Sequence, residues 1–213
     1  MDSLRNQPGG ILALDVSFPL MGHLSPEYAA TAERLISESD TLIFSRPWSY
    51  PLVSRVIAGK KKFVVYDAHN VEGVLRCALL DDGASGTELV AFVGELESSL
   101  CAQSDLILAP SHRDRLSFAR LYDVPCEKIR VVPNGAFTEK VTPASEERKI
   151  GLKEAEGLTD AEKEIPVAVF MGSATPANVE AAEFILREVA PALPHVSFLI
   201  FGEAGDAAAC PAP

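Results

Sequence analysis

Cysteine and positive charge are both scarce in this chain, and each scarcity argues against a class of function. The four cysteines, Cys77, Cys101, Cys126 and Cys210, form no CxxC pair and have no histidine at ligand spacing. They read as reduced thiols of a cytoplasmic protein, and no metal site is expected. Only 19 Lys and Arg stand against 30 Asp and Glu, a net charge of -11. A nucleic-acid groove needs a concentrated basic face, so nucleic acid is excluded as a partner. General attraction to anionic lipid is disfavoured on the same ground, with a local basic patch still open. The only basic run, Lys60-Lys61-Lys62, reads as a solvated turn before a strand. No apolar run approaches the ~20 residues that span a bilayer, so no transmembrane segment is expected. The N-terminus, MDSLRNQPGG, lacks the charged-then-apolar order of a secretion signal. A cytoplasmic protein, peripheral to a membrane at most, is the expectation.

What is present is ordinary globular material: 213 residues, 47% hydrophobic and 23% charged, enough for one large or two small domains. The chain is organised around FVVYDAHNVEG, residues 63–73. Phe63 to Tyr66 is a short apolar, β-branched and aromatic run, which predicts a buried strand. It stops at Asp67, His69 and Asn70. In open α/β sheets ligands bind outside the carboxyl ends of the strands, so these polar side chains fall where a site would lie.

Taken in order, Ile11 to Phe18 predicts a first strand. Ser25-Pro26-Glu27 predicts a helix start, with Ser as N-cap, Pro at the first position and acid in the first turn. Strands are expected at 41–45, 63–66, 106–109 and 129–132, with helices at 26–39, 50–58, 71–80, 88–103 and after Ser111. Asp81-Asp82-Gly83 should stop the third of these helices, and Pro133-Asn134-Gly135 should form a strong turn. From 146 to 164 there are seven acids and four bases, so a connection with one or two helical turns is expected there. A strand at 167–171, a helix at 176–193 and a strand at 196–201 follow, and the tail DAAACPAP has no periodicity. Alternating strands and helices mean parallel sheets. The expected architecture is two α/β units, one of about five strands and one of two.

Four blocks carry a family likeness: YDAHNVE (66–72), ELESSLCAQSDLILAPS (95–111), YDVPCEKIRVVPNG (122–135) and VFMGSATPANVEAAEFILREVAPALPHVSFLIFGEAG (169–205). In this order they resemble a retaining glycosyltransferase of the GT-B superfamily, family 4 or group 1 type, over roughly residues 41–205. The resemblance implies a GT-B-like α/β fold, with two Rossmann-like domains facing each other across a cleft. Residues 1–136 would be the acceptor-side domain, lacking its first strands. Residues 137–165 would connect the domains, and 166–213 would be a fragment of the nucleotide-sugar-binding domain. It also implies a nucleotide sugar as donor substrate with no further cofactor, and an acceptor that is a glycan, a lipid-linked molecule or a small molecule.

The chain departs from this pattern. Gly9-Gly10 precedes the first expected strand, whereas the family's glycine-rich loop follows it. The family's later pair of glutamates, seven residues apart, has no counterpart, and residues 172–182, GSATPANVEAA, contain no Lys or Arg. The sequence therefore reads as a fragment or a degenerate member. A strand–helix–strand unit of this size is below what usually folds alone.

Glycosyl transfer needs a stabilised leaving diphosphate and a positioned acceptor hydroxyl. His69 is either a donor to a sugar hydroxyl or a hydrogen-bonded strand-end histidine; with the resemblance, the functional role is preferred. Asp67 either orients an acceptor hydroxyl or shapes the turn. Asn70 reads first as the N-cap of the next helix and second as an acceptor contact, with Glu72 facing the helix dipole. Trp48, beside Arg46, Pro47 and Tyr50, is a packed loop anchor or an acceptor-stacking surface. Ser111 is a helix N-cap with an acceptor contact as its second reading. Gly172, Ser173 and Asn178 lie where a diphosphate would meet a helix N-terminus, or simply start that helix. His23 and His195 read as surface or turn residues. The rival to an enzyme is a non-catalytic GT-B-like remnant that binds a partner. An oxidoreductase is disfavoured because no GxGxxG joins a strand to a helix.

Overall fold

The computed structural model describes residues 10–79, 84–155, 157 and 165–208. The chain divides into two compact units, Met1–Gly135 and Ala136–Pro213. The first unit holds a four-stranded parallel sheet in the order β1 (Thr41–Phe44), β2 (Phe63–Asp67), β3 (Leu106–Ala109) and β4 (Ile129–Val131). The register sets Phe44 against Tyr66, Asp67 against Leu108, and Ala109 against Val131, so the carboxyl ends of all four strands lie along one edge.

Strand position in the sheet explains the burial of each strand. In β2 the consecutive residues Val64, Val65 and Tyr66 are all buried, as expected for an interior parallel strand covered on both faces. β1 lies at the sheet margin and alternates: Leu42 and Phe44 are buried, whereas Ile43 is 65% exposed. The core joins these strands to α2 (Pro26–Glu38), α3 (Tyr50–Ile57) and α6 (His112–Leu121) through Ile36, Val53, Ile57 and Phe118. Gly59, with φ +77, ends the α3 segment.

The expected strand over 11–18 is a helix, α1 (Gly10–Met21). A contiguous apolar run fits either period, and length decides for the helix. Its Val16 is buried against Trp48, Val93 and Leu96. The first sheet therefore has four strands, not five. The helix start at Pro26 is where the sequence puts it, but the Ser25 side chain makes no capping bond. Lys62 is not merely solvated either: its ammonium donates to the carbonyls of Ser37 and Ser39 at the end of α2.

α4 (Glu72–Leu79) and the long α5 (Ala84–Gln103) connect β2 to β3. The expected stop at Asp81-Asp82-Gly83 falls outside the described residues. The turn expected at Pro133-Asn134-Gly135 does not form; residues 132–137 are irregular, and the Val132 amide extends the ladder by bonding Ala109 O at 2.8 Å.

The second unit begins with α7 (Glu146–Ala155), a ten-residue helix, longer than the one or two turns expected, with no buried residue. β5 (Val167–Met171) and β6 (Ser197–Phe201) pair in parallel. Between them, α8 (Pro176–Phe184) continues through a π-helical turn at Ile185–Val189 and a last turn at Ala190–Ala192. α9 (Glu203–Ala207) makes part of the supposedly aperiodic tail helical. Among the described residues of this unit only Ala182 and Ala204 are buried. A cavity of about 560 Å³ lies between α7 and the sheet face, lined by Leu152, Lys153, Val167, Val169, Leu199 and Phe201 among others.

β6 turns into α9 at Gly202, which has φ +84 and ψ 179. A Cβ there would sit 2.5 Å from Gly172 O. Gly202→Ala is therefore expected to destabilise this unit by about 2 kcal/mol. Amide exchange should read this as protection lost along β5 and β6, with β2 and β3 unchanged. Unchanged protection in β5 and β6 would refute it.

Candidate functional site

Three loops leave the carboxyl edge of the first sheet: 45–49 after β1, 68–71 after β2, and 110–111 after β3. They carry Trp48, the Asp67–His69–Asn70 group and Ser111 to the same edge. Asp67 is half-buried at the end of β2. Ala68 and Val71 are buried, and the Ala68 amide bonds Leu108 O at 3.0 Å. Between them His69 stands exposed and Asn70 half-buried. An exposed imidazole held on a backbone with buried anchors can meet a ligand from solvent.

The loop's far anchor is Glu97, a fully buried carboxylate on α5. Its Oε1 accepts from Tyr66 Oη at 2.7 Å and from the Glu72 amide at 3.0 Å. Its Oε2 accepts from Tyr122 Oη at 2.6 Å and from the Gly73 amide at 3.0 Å. Glu97 thus caps α4 from a neighbouring helix, where its charge also meets the positive end of the α4 dipole. The reading of Asn70 as that cap is overturned, since the first α4 amides bond Glu97. Burial and the Glu97 charge push the Tyr66 and Tyr122 hydroxyls and the Cys101 thiol well above their ordinary ranges. Gly73 is dictated by the same cluster, because a Cβ there would lie 2.6 Å from Tyr122 Oη.

Glu72 is the first-turn acid of α4, as the sequence predicts. It is buried and paired with Arg76 at 3.2 Å, and the Arg76 guanidinium lies 5.3 Å from the centre of the Trp48 ring. Trp48 itself is only 7% exposed and packs with Val16, Val93 and Leu96. Its packed-anchor reading matches this burial, although it also borders a cavity of about 550 Å³ with Phe18, Phe44, Ser45 and Arg46 at the end of β1. Ser111 is the N-cap of α6: its Oγ accepts from the Asp114 amide at 3.1 Å and donates to Asp114 Oδ2 at 2.6 Å.

In the second unit, Gly172, Ser173 and Asn178 form one turn. Asn178 Nδ2 donates to Ser173 O at 3.2 Å, and a Cβ on Gly172 would lie 3.0 Å from Asn178. The Gly172 amide bonds Phe201 O at 3.1 Å and its carbonyl accepts from Ala204 at 3.1 Å. The Glu203 carboxylate sits 3.4 Å from the Ala174 amide. This turn therefore presents backbone amides and an acid, and its own residues supply no cation.

The sequence reading did not single out Glu97, Tyr122 or Glu203. For Glu97 a signal exists. It lies four residues after Val93 and three before Leu100, so an acid interrupts the apolar stripe of α5. Among the described residues no group of three His, Cys, Asp or Glu could hold a metal, and no helix is long and apolar enough to cross a membrane.

No protein-family profile and no curated protein matches the chain. Solved structures do. The chain is similar to Anabaena Alr3699/HepE in complex with UDP-glucose, with a TM-score of 0.62 and 14% identity, over 87% of this chain and 46% of that one. The fold is GT-B-like. The same protein in complex with UDP and glucose matches with a TM-score of 0.58 and 15% identity, over 84% of this chain and 44% of that one. In complex with UDP it matches with a TM-score of 0.52 and 14% identity, over 88% and 55%. The chain thus spans about half the length of these neighbours. Within the GT-B-like fold the first unit is a Rossmann-like sheet domain and the second an incomplete one.

Proposed function

We propose that this chain is part of a glycosyltransferase of the family 4 or group 1 type, which moves a sugar from a nucleotide-activated donor to a hydroxyl acceptor. The observation that carries the reading is the likeness to a structure described with UDP-glucose, on a chain whose polar strand-end loop lies at the carboxyl edge of a parallel sheet. Residues 1–136 act on the acceptor side, 137–165 connect, and 166–213 belong to the donor side. His69 and Asp67 orient the acceptor hydroxyl, and Asn70 borders them. Trp48 and Ser111 act by shaping the same edge, since one is buried there and the other caps α6. Gly172, Ser173 and Asn178 offer backbone and amide groups to the donor diphosphate. The protein works in the cytoplasm, and the donor nucleotide needs no additional cofactor.

Calorimetric titration with UDP and UDP-glucose, then with the other nucleotide diphosphates, tests this. Saturable binding is expected, and its absence for every nucleotide, both here and in a chain extended at both ends, refutes the reading. In a form that turns over, His69→Ala is expected to lower the rate about 100-fold. The affinity for UDP should stay within about twofold, because the donor contacts lie in the other unit.

A second reading, a binding module without transfer activity, has one observation in its favour. The Gly172 turn offers Glu203 where a diphosphate would need positive charge. Turnover of a nucleotide sugar by the 213-residue chain would exclude it.

A further inference from the structure

We propose that Glu97 is the positioning residue of the loop that carries Asp67 and His69, holding it from both sides through one carboxylate. The proposal's catalytic meaning rests on the reading of that loop as the acceptor side; its structural content does not. Tyr66 immediately precedes Asp67, and Tyr66 Oη donates to Glu97 Oε1 at 2.7 Å. Glu72 and Gly73 begin the helix after the loop, and their amides bond Oε1 and Oε2 at 3.0 Å each. Five residues, 67 to 71, thus lie between two attachments to the same side chain. The buried side chains of Ala68 and Val71 and the Ala68 amide bond to Leu108 leave the loop few alternative paths. His69 is exposed and owes its place to this framework.

The carboxylate also gathers a third element. Tyr122 follows the last residue of α6, and its hydroxyl reaches Oε2 at 2.6 Å. α6 starts at the Ser111 cap on the same sheet edge. Four donors on two oxygens match the acceptor capacity of an ionised carboxylate, which no neutral side chain of similar shape has. A residue serving only as a helix cap needs the two amides. The two hydroxyls tie the cap to the end of β2 and to the end of α6, and that makes the loop's geometry depend on this group.

The test is made on the whole chain by following the four histidine ring signals by NMR, with His69→Gln used to assign His69. In Glu97→Gln and Tyr122→Phe, the His69 signal is expected to shift or broaden, while those of His23, His112 and His195 stay where they are. The Glu72 and Gly73 amides should exchange at least tenfold faster in Glu97→Gln, the ratio set by losing a hydrogen bond to a charged group. Should Glu97→Gln fail to fold, Tyr122→Phe, which keeps the ring and both amide bonds, carries the histidine test alone. An unmoved His69 signal in a folded variant overturns the proposal, as does a common shift of all four histidines. Failure of the chain to bind UDP or UDP-glucose would remove the glycosyltransferase reading and leave these signals to be judged on their own.

Discussion

Glu97→Ala is expected to lower the stability of the first unit by about 5 kcal/mol, enough to abolish folding or to move a urea midpoint by about 2 M. The substitution strands four donors in the interior. The Glu72 and Gly73 amides are fixed by the start of α4 and cannot turn to solvent, so each bears a desolvation cost of about 1–3 kcal/mol. The Tyr66 and Tyr122 hydroxyls can rotate but lose their charged partner. The buried volume of the side chain is lost as well. Against this stands only the recovered cost of burying one carboxylate. Glu97→Gln keeps the shape but turns one acceptor oxygen into a donor facing donors, and an intermediate loss of about 3 kcal/mol is expected. Glu95→Ala, an exposed position two residues away on the same helix, should stay within about 0.5 kcal/mol. Far-UV circular dichroism in urea reads all three. A Glu97→Ala midpoint equal to that of Glu95→Ala would mean that the cluster contributes nothing.

Alkaline pH attacks the same cluster from its other side. Tyr66 and Tyr122 keep their protons in the folded chain well above their ordinary value of 10.0, and Cys101 above 9.0. Above those values the unfolded chain releases protons that the folded chain retains. The folded state then binds more protons, so stability falls as pH rises. The stability these groups confer is complete below about pH 9 and declines above it, by about 1.4 kcal/mol per pH unit for each group. By pH 11 the loss reaches about 5 kcal/mol, with the Tyr122 share reduced for its partial contact with solvent. Urea midpoints at pH 8, 10 and 11 should show the slope. Tyr66→Phe should make it shallower by one group's worth even though the variant starts less stable. Equal slopes in the two proteins would show that Tyr66 is not a retained proton.

The strand-end loop and the cluster beneath it were readable to very different degrees. β2, its polar terminus and the parallel alternation follow from a short β-branched run and from regular spacing, which are local properties. Ser111 as a cap follows from its position before a helix, and the structure places it there. The strand at 11–18 failed because an apolar stretch fits either period, and the 12-residue length of α1 decides for the helix. Asn70 failed for a different reason. Local capping rules assume that a helix end is satisfied by its own neighbours, but here a side chain 25 residues away does the work. Glu72 reads correctly as a first-turn acid, but its burial and its pairing with Arg76 do not follow from that position. Long-range satisfaction of buried polar groups is invisible to periodicity, except where it forces an anomaly such as an acid in an apolar stripe.

Trp48 gives the chain an optical division of labour. It is the only tryptophan of the sequence and lies in the first unit, enclosed and beneath the Arg76 guanidinium. Intrinsic emission excited at the indole band therefore follows the Rossmann-like first unit and is silent about β5, β6 and α8. Circular dichroism sums both units. Two melting curves from one sample, one fluorescent and one dichroic, would coincide if the halves unfold together and separate if they do not. A single buried indole thus makes the autonomy of the two units measurable without cutting the chain.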